Sequence, residues 1–205
     1  MIKGNNISMK KLTKLSLEEA YLQDIQVKEQ LSRFDELRIK FNADAKNSQN
    51  FTEMVKELLL IAIIDETLAE LNYLQSYNLS KTEGKTDFDV EFEQHEEDER
   101  EHKYDLIERL RELDSNKIFT GICDWQYLNS RGTNWKQEFL SNSFDILKNR
   151  LAEEQEAVEF YTLCVDFLRG TDDTTTYTLF KKIKEDEEEH VKDLRDLARE
   201  HGIIK

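Results

Sequence analysis

Two short stretches hold most of the residues able to do chemistry: "DEREH" at 98–102 and "DEEEH" at 186–190. Each contains Glu-x-x-His, Glu99 with His102 and Glu187 with His190, in a chain with only four histidines. A three-residue step puts both side chains on one helix face, where a carboxylate and an imidazole can share a cation. One such motif is weak by itself, because short motifs match acidic helix surfaces often.

The surroundings of the two motifs make them unusual. Phe88, Phe92, His95, Glu99, His102, Leu106, Leu110 and Leu113 follow one another at steps of three and four, which is the core stripe of a helix. Phe180, Ile183, Glu187, His190, Leu194 and Leu197 form a second such stripe. A buried, unpaired carboxylate costs several kcal/mol or takes up a proton, so acids at core positions need compensation. A bound cation supplies it.

Two further stripes carry one acid each. Leu59, Ala62, Glu66, Ala69 and Tyr73 share a face, as do Leu147, Leu151, Glu154, Ala157, Tyr161 and Cys164. Glu66 precedes Glu99 by 33 residues, Glu154 precedes Glu187 by 33, and each upstream Glu is followed by a Tyr seven residues on. An offset of 88 residues superposes the halves, pairing Glu66 with Glu154, Tyr73 with Tyr161, Asp98 with Asp186, Glu99 with Glu187 and His102 with His190. This is an internal repeat of a helix pair. One Glu from each of two helices plus Glu-x-x-His from each of the other two is the ligand set of di-metal carboxylate bundles.

These residues need long helices to position them. The 205-residue chain has no proline and 6 glycines, and 36% of it is charged, which points to an all-α protein. The pattern predicts helices over about 52–78, 87–113, 141–168 and 175–200, with short polar loops at 79–86 and at "RGTDDTTT". The 115–140 stretch, with Gly121, Trp125, Gly132 and Trp135, has no clear period and reads as a long connection. Two antiparallel helix pairs joined by one long crossover follow, as a four-helix bundle over residues 51–205. Residues 1–50 read as an arm: a basic tail, then a helix opened by a capping box at Ser16 and Glu19 and striped by Val27, Leu31, Phe34, Leu37 and Phe41.

A formal charge of −15 argues against nucleic acid as a partner and is compatible with cations. The longest apolar run, "LLLIAII" at 58–64, is too short to span a bilayer, and no signal-peptide core follows the basic N-terminus. A soluble cytoplasmic protein is expected. Cys123 and Cys164 are too few for a disulfide framework or an all-cysteine metal site; a redox pair and a buried structural Cys164 are the two readings.

Residues 52–200 resemble the ferritin-like di-iron superfamily. "DETLAELNY", "EREHKYDLIERLREL" and "EEEHVKDLRDL" are similar to ligand helices of bacterioferritins, and "TDDTTTYTLFKKIKEDEEEHVKDL" is similar to Dps-like relatives. The resemblance implies that Glu99 and Glu187 bridge two metals, that Glu66 and Glu154 are terminal carboxylates, and that His102 and His190 each bind one metal. Tyr73 and Tyr161 would donate hydrogen bonds to the opposite terminal carboxylates, or serve only as core aromatics with a satisfied hydroxyl. Oxygen-rich ligation with one imidazole per metal suits two iron ions, with manganese as the alternative.

Departures from the family also carry expectations. Arg100 stands where bacterioferritins have a haem-ligating Met, so haem is not expected; no C-x-x-C exists, and Ala157 stands where rubrerythrins have an extra Glu. His95, one turn before Glu99, can be a polar residue near the bundle end or a holder of incoming iron. The function implied is oxidation of Fe(II) by O2 or H2O2 with iron storage, in a homo-oligomer between a dimer and a cage. A rubrerythrin-like peroxidase and a structural bundle with a non-catalytic metal are the alternatives.

Overall fold

In a computed structural model of the chain, the described residues are 37–42, 46, 49–114 and 142–205. Without proline to interrupt them, four long helices form: α1 (Phe51–Glu83), α2 (Thr86–Leu113), α3 (Ser143–Leu168) and α4 (Thr174–Glu200). No strand occurs among the described residues. The family resemblance and the helical pattern both predict this all-α bundle.

The helix ends show why the elements start and stop there. α1 runs past the expected end near 78, because its polar residues find partners without leaving the helix. Ser80 Oγ donates to Asp89 Oδ1 at 2.6 Å, and Thr82 Oγ1 donates to the Asn78 carbonyl at 2.8 Å. Gly84, at φ 70°, then takes the left-handed conformation that ends the helix, which glycine adopts without a Cβ penalty. Asn142 caps α3 by accepting from the Asp145 N–H at 3.0 Å, and Asp173 caps α4 by accepting from the Thr176 N–H at 3.0 Å.

α1 packs along α2 and α3 along α4, while α2 meets α4 and α1 meets α3 across the bundle. At one end Lys56, in the first turns of α1, lies 3.2 Å from Asp114 just after α2. At the other end Ser143 Oγ, at the start of α3, donates to Glu83 Oε2 at 2.7 Å. The last residue of α2 and the first of α3 therefore sit at opposite ends, and the chain between them has to cross the bundle length, as expected for one long crossover. The connection at 115–140 itself, with Cys123, Trp125 and Trp135, lies outside the described residues, as does the helix expected from Ser16 up to residue 36. What is described of the arm's stripe is buried: Leu37 and Phe41 join the core, with Phe41 edge-on to Phe167 at 5.3 Å.

The core is in two apolar blocks. One holds Leu59, Ile63, Leu106, Leu110, Phe167, Phe180 and Ile183; the other holds Tyr73, Phe88, Phe92, Leu147 and Leu194. Truncating one of the fully buried phenylalanines to alanine costs about 3–5 kcal/mol. Between the blocks runs a layer that is as deeply buried and is not apolar.

Candidate metal centre

That middle layer contains Glu66, Glu99, His102, Glu154, Glu187 and His190, none more than 4% exposed. α1 and α3 deliver one Glu each, and α2 and α4 deliver one Glu and one His each. The three-residue step works because a helix puts i and i+3 on one face, one turn apart.

The six side chains form two groups that share two members. His102 Nδ1 lies 3.4 Å from Glu66 Oε2, 3.7 Å from Glu99 Oε2 and 3.4 Å from Glu187 Oε1. His190 Nδ1 lies 3.6 Å from Glu154 Oε2, 3.5 Å from Glu99 Oε1 and 3.3 Å from Glu187 Oε2. Glu99 and Glu187 thus turn one oxygen toward each histidine. Both sets, Glu66–Glu99–His102–Glu187 and Glu99–Glu154–Glu187–His190, bring their donor atoms within 4.8 Å of one another, the spread expected of a cation's ligands.

Most of these atoms are orphans. Glu66 Oε2, Glu99 Oε1, both Glu187 oxygens and the Nδ1 atoms of His102 and His190 are buried with no hydrogen-bond partner. Buried polar groups in native proteins are nearly always paired, so a cluster of orphans converging on one space fits a bound cation. The donor set of carboxylates with one imidazole per group fits iron or manganese.

Two further shells orient the donors. Tyr73 Oη donates to Glu154, and Tyr161 Oη donates to Glu66, each hydroxyl crossing from α1 to α3 or back. Burial first, and the neighbouring carboxylates second, push both phenols well above their ordinary range, so they stay protonated and donate. Asp186 Oδ2 lies 3.1 Å from His102 Nε2, and Asp98 Oδ2 lies 3.4 Å from His190 Nε2. A proton on Nε2, facing the aspartate, leaves the Nδ1 lone pair for the centre.

The electrostatics describe a site filled by protons when no metal is present. Burial, with Glu187 and Glu66 alongside, pushes Glu99 well above the carboxylate range. Burial likewise pushes Glu154 up to about 7. For Glu187 burial acts upward, but the imidazoles of His102 and His190, 3.4 and 3.3 Å away, prevail and hold it below its ordinary value. Burial disfavours the charged imidazoles, yet Asp186 beside His102 and Asp98 beside His190, helped by the buried glutamates, raise both histidines. A cation entering here displaces protons.

The sequence alone does not assign Asp98 and Asp186 to the two histidines. They recur at the 88-residue offset like the others, which was the available signal, but each sits on the flank of its helix among other acids. His95 is neither at the surface nor at the bundle end: it is buried, and its ring stacks on His190 at 4.1 Å. Cys164 is a buried free thiol in the apolar core, pushed up by burial.

A bundle of two antiparallel helix pairs around a buried layer of four glutamates and two histidines is the class that fold and site define. The chain belongs to the ferritin-like domain family, whose model matches residues 56–201, and it is a ferritin-like iron-handling protein. A search of curated proteins finds no match. Among solved structures it is similar to a dodecameric thioferritin, the bacterioferritin-related protein of Bacteroides fragilis. The TM-score is 0.62 at 26% identity, over 75% of this chain and 92% of that one. No helix among the described residues is long and apolar enough to cross a membrane.

Proposed function

We propose that the centre binds two Fe(II) ions per chain and that O2 or H2O2 oxidises them, a ferroxidase reaction serving iron storage and detoxification. The observation that carries this reading is the sharing of Glu99 and Glu187 between two four-donor groups. Two ions held by common carboxylates supply one electron each, enough with two protons to reduce O2 to H2O2 or H2O2 to two waters.

The chain's own residues then have distinct roles. Glu99 and Glu187 bridge, Glu66 with His102 holds one ion, and Glu154 with His190 holds the other. Tyr73 and Tyr161 orient the terminal carboxylates, and Asp98 and Asp186 hold the imidazoles in the tautomer that leaves Nδ1 free. The ferritin-like unit spans 51–205, with residues 1–50 as an arm. The dodecameric assembly of the Bacteroides protein supports a symmetric homo-oligomer here as well.

Fe(II) added under air to the full chain tests this. The expected result is oxidation at two irons per chain, abolished in Glu99→Ala/Glu187→Ala, with further iron retained as mineral in the assembled oligomer. An oxidation rate and metal content unchanged in that double variant would sink the reading. Turnover of peroxide in a dimer that stores no mineral would instead favour the peroxidase.

A further inference from the structure

The arm meets the bundle on the outer side of α1 and α3. Leu37 and Phe41 are buried in the block that holds Tyr161, and Phe41 stands edge-on to Phe167 at 5.3 Å. Arg38 donates to Glu159 on α3, Lys40 donates to Glu57 on α1, and Lys46 Nζ donates to the Arg169 carbonyl at 3.2 Å. The contacts at Glu159 and Phe167 bracket Tyr161, so the segment 37–41 lies along the stretch of about two turns that carries it. The family match begins at residue 56, so none of these arm residues belongs to it.

The internal repeat shows what the segment adds. On α3, Leu163, Val165 and Phe167 are buried in addition to the core stripe of Tyr161, Cys164 and Leu168. At the 88-residue offset the first three correspond to Gln75, Tyr77 and Leu79 on α1, and none of those is buried. A bundle helix buries one face; a second buried face needs a second cover. The arm supplies it in one half only.

The other half closes the space between α1 and α3 with polar groups instead. Arg150 Nη2 donates to Glu153 Oε1 at 3.0 Å, and Asn72 Nδ2 donates to Glu153 Oε2 at 3.4 Å from α1. The guanidinium lies over the Tyr73 ring, 5.9 Å from its centroid. Arg150 and Asn72 correspond to Ala62 and Phe160, whose side chains carry no polar atom, so the same clasp cannot form beside Tyr161. The Tyr73–Glu154 contact thus has a polar clasp beside it, and the Tyr161–Glu66 contact has the arm.

We infer that the segment 37–41 is a positioning element of the metal centre, which holds Tyr161 on Glu66 and through it the half of the centre formed by Glu66 and His102. Leu37 and Phe41 fill the space outside α3, while Arg38 and Lys40 fasten the segment to both helices. A close-packed back fixes the rotamer of a phenol that must reach from α3 to α1. None of the five residues is itself a ligand. The hold on Tyr161 stands on the packing alone, whereas its effect on an ion rests on the di-metal reading.

Two measurements on the full-length chain test this. Isothermal titration with Co(II) gives the two ion affinities, and hydrogen exchange of the metal-free protein, read by mass spectrometry, gives the firmness of each half. Leu37→Ala/Phe41→Ala is expected to weaken one of the two ions about tenfold, the scale of a lost supporting contact. In a Tyr161→Phe background the same substitutions should add less than about twofold, and in a Tyr73→Phe background the full loss, because only groups that act through one another are coupled. Exchange in the metal-free variant should quicken around Glu66 and Tyr161 and stay unchanged around Tyr73 and Glu154. Leu37→Ala alone, which keeps the Phe41 ring, should show the same pattern at smaller size and replaces the double variant if that one does not fold. Unchanged affinity, equal losses in the two tyrosine backgrounds, or exchange quickened alike in both halves would overturn the positioning role. A wild type that takes up no pair of Co(II) ions would sink the di-metal reading, and the exchange pattern would still decide the role of the arm.

Discussion

The two halves of the chain, α1 with α2 and α3 with α4, agree at the middle layer and part company one turn away from it. Within the layer every donor has its counterpart 88 residues on, and the contacts correspond: Tyr73 reaches Glu154 as Tyr161 reaches Glu66, and Asp98 lies 3.4 Å from His190 where Asp186 hydrogen-bonds His102 at 3.1 Å. Outside it, Glu91, His95 and Arg150 on one side correspond to Leu179, Ile183 and Ala62 on the other. Arg150 is buried against the Tyr73 ring, 5.9 Å from its centroid, where Ala62 is a small apolar residue in the opposite block. The proposed pair of equivalent ions would require equal ligands, which fits the symmetry of the layer. The flanks carry none of the six shared donors, and there one half packs as ordinary core while the other holds polar side chains.

The strongest way to break this comparison is to remove a terminal carboxylate from one half at a time. Glu66→Ala and Glu154→Ala should each weaken one ion by about 100-fold while the second ion remains, and by similar factors, since within the layer each carboxylate accepts from one tyrosine and faces one histidine of the Glu-x-x-His pairs. Equilibrium dialysis with metal analysis measures it. Strongly unequal losses would mean that the halves are alike in geometry only.

A second prediction uses the protons that fill the metal-free site. Glu154 rises from its ordinary 4.5 to about 7 in the folded protein, so the folded state holds its proton more tightly than the unfolded chain does. That contribution is present below pH 4.5 and is lost as pH rises through 7. His102 and His190, also raised, push the same way above their ordinary 6.5. Metal-free protein should therefore lose stability between these pH values, with one such group contributing about 1.4 kcal/mol per pH unit. Denaturant titrations across pH should show Glu154→Gln with the shallower slope. Metal affinity should run the opposite way and rise with pH, because each bound ion needs the deprotonated carboxylates.

The smallest effect sharpens the comparison. Tyr73→Phe and Tyr161→Phe each delete one hydroxyl donor to a terminal carboxylate, and each should lower the affinity for the ion it supports by about tenfold. Isothermal titration of the two variants should give matching losses; a loss in one half alone would assign the second tyrosine to packing only.

Much of this layer was legible because acids at core positions violate the ordinary stripe. Glu99 and His102 stand between Phe92 and Leu106, where apolar residues belong, and the repeat of the same violation in three other helices singles out all six donors. The bundle was legible for a related reason: proline is absent and the apolar residues keep helical steps throughout. What escaped depends on packing between helices. Glu91 and Asp193 lie 102 residues apart and only the register of α2 against α4 brings them together. Asp98 and Asp186 look like solvated surface acids until the histidine of the neighbouring helix is placed beside each. α1 continues through the polar "LSKTE", beyond the end near 78 that the sequence predicts, because polarity alone does not stop a helix whose hydroxyls bond back to the preceding turn.

The central claim is that two ions share Glu99 and Glu187. Iron K-edge X-ray absorption on the iron-loaded oligomer, with iron counted on the same sample, tests it most directly. The account predicts two irons per chain with an iron–iron scattering path at roughly 3.5–4 Å, the separation that shared carboxylates impose. It also predicts that this path disappears in Glu99→Ala/Glu187→Ala. Iron bound as isolated ions, with no such path in the wild type, would contradict it.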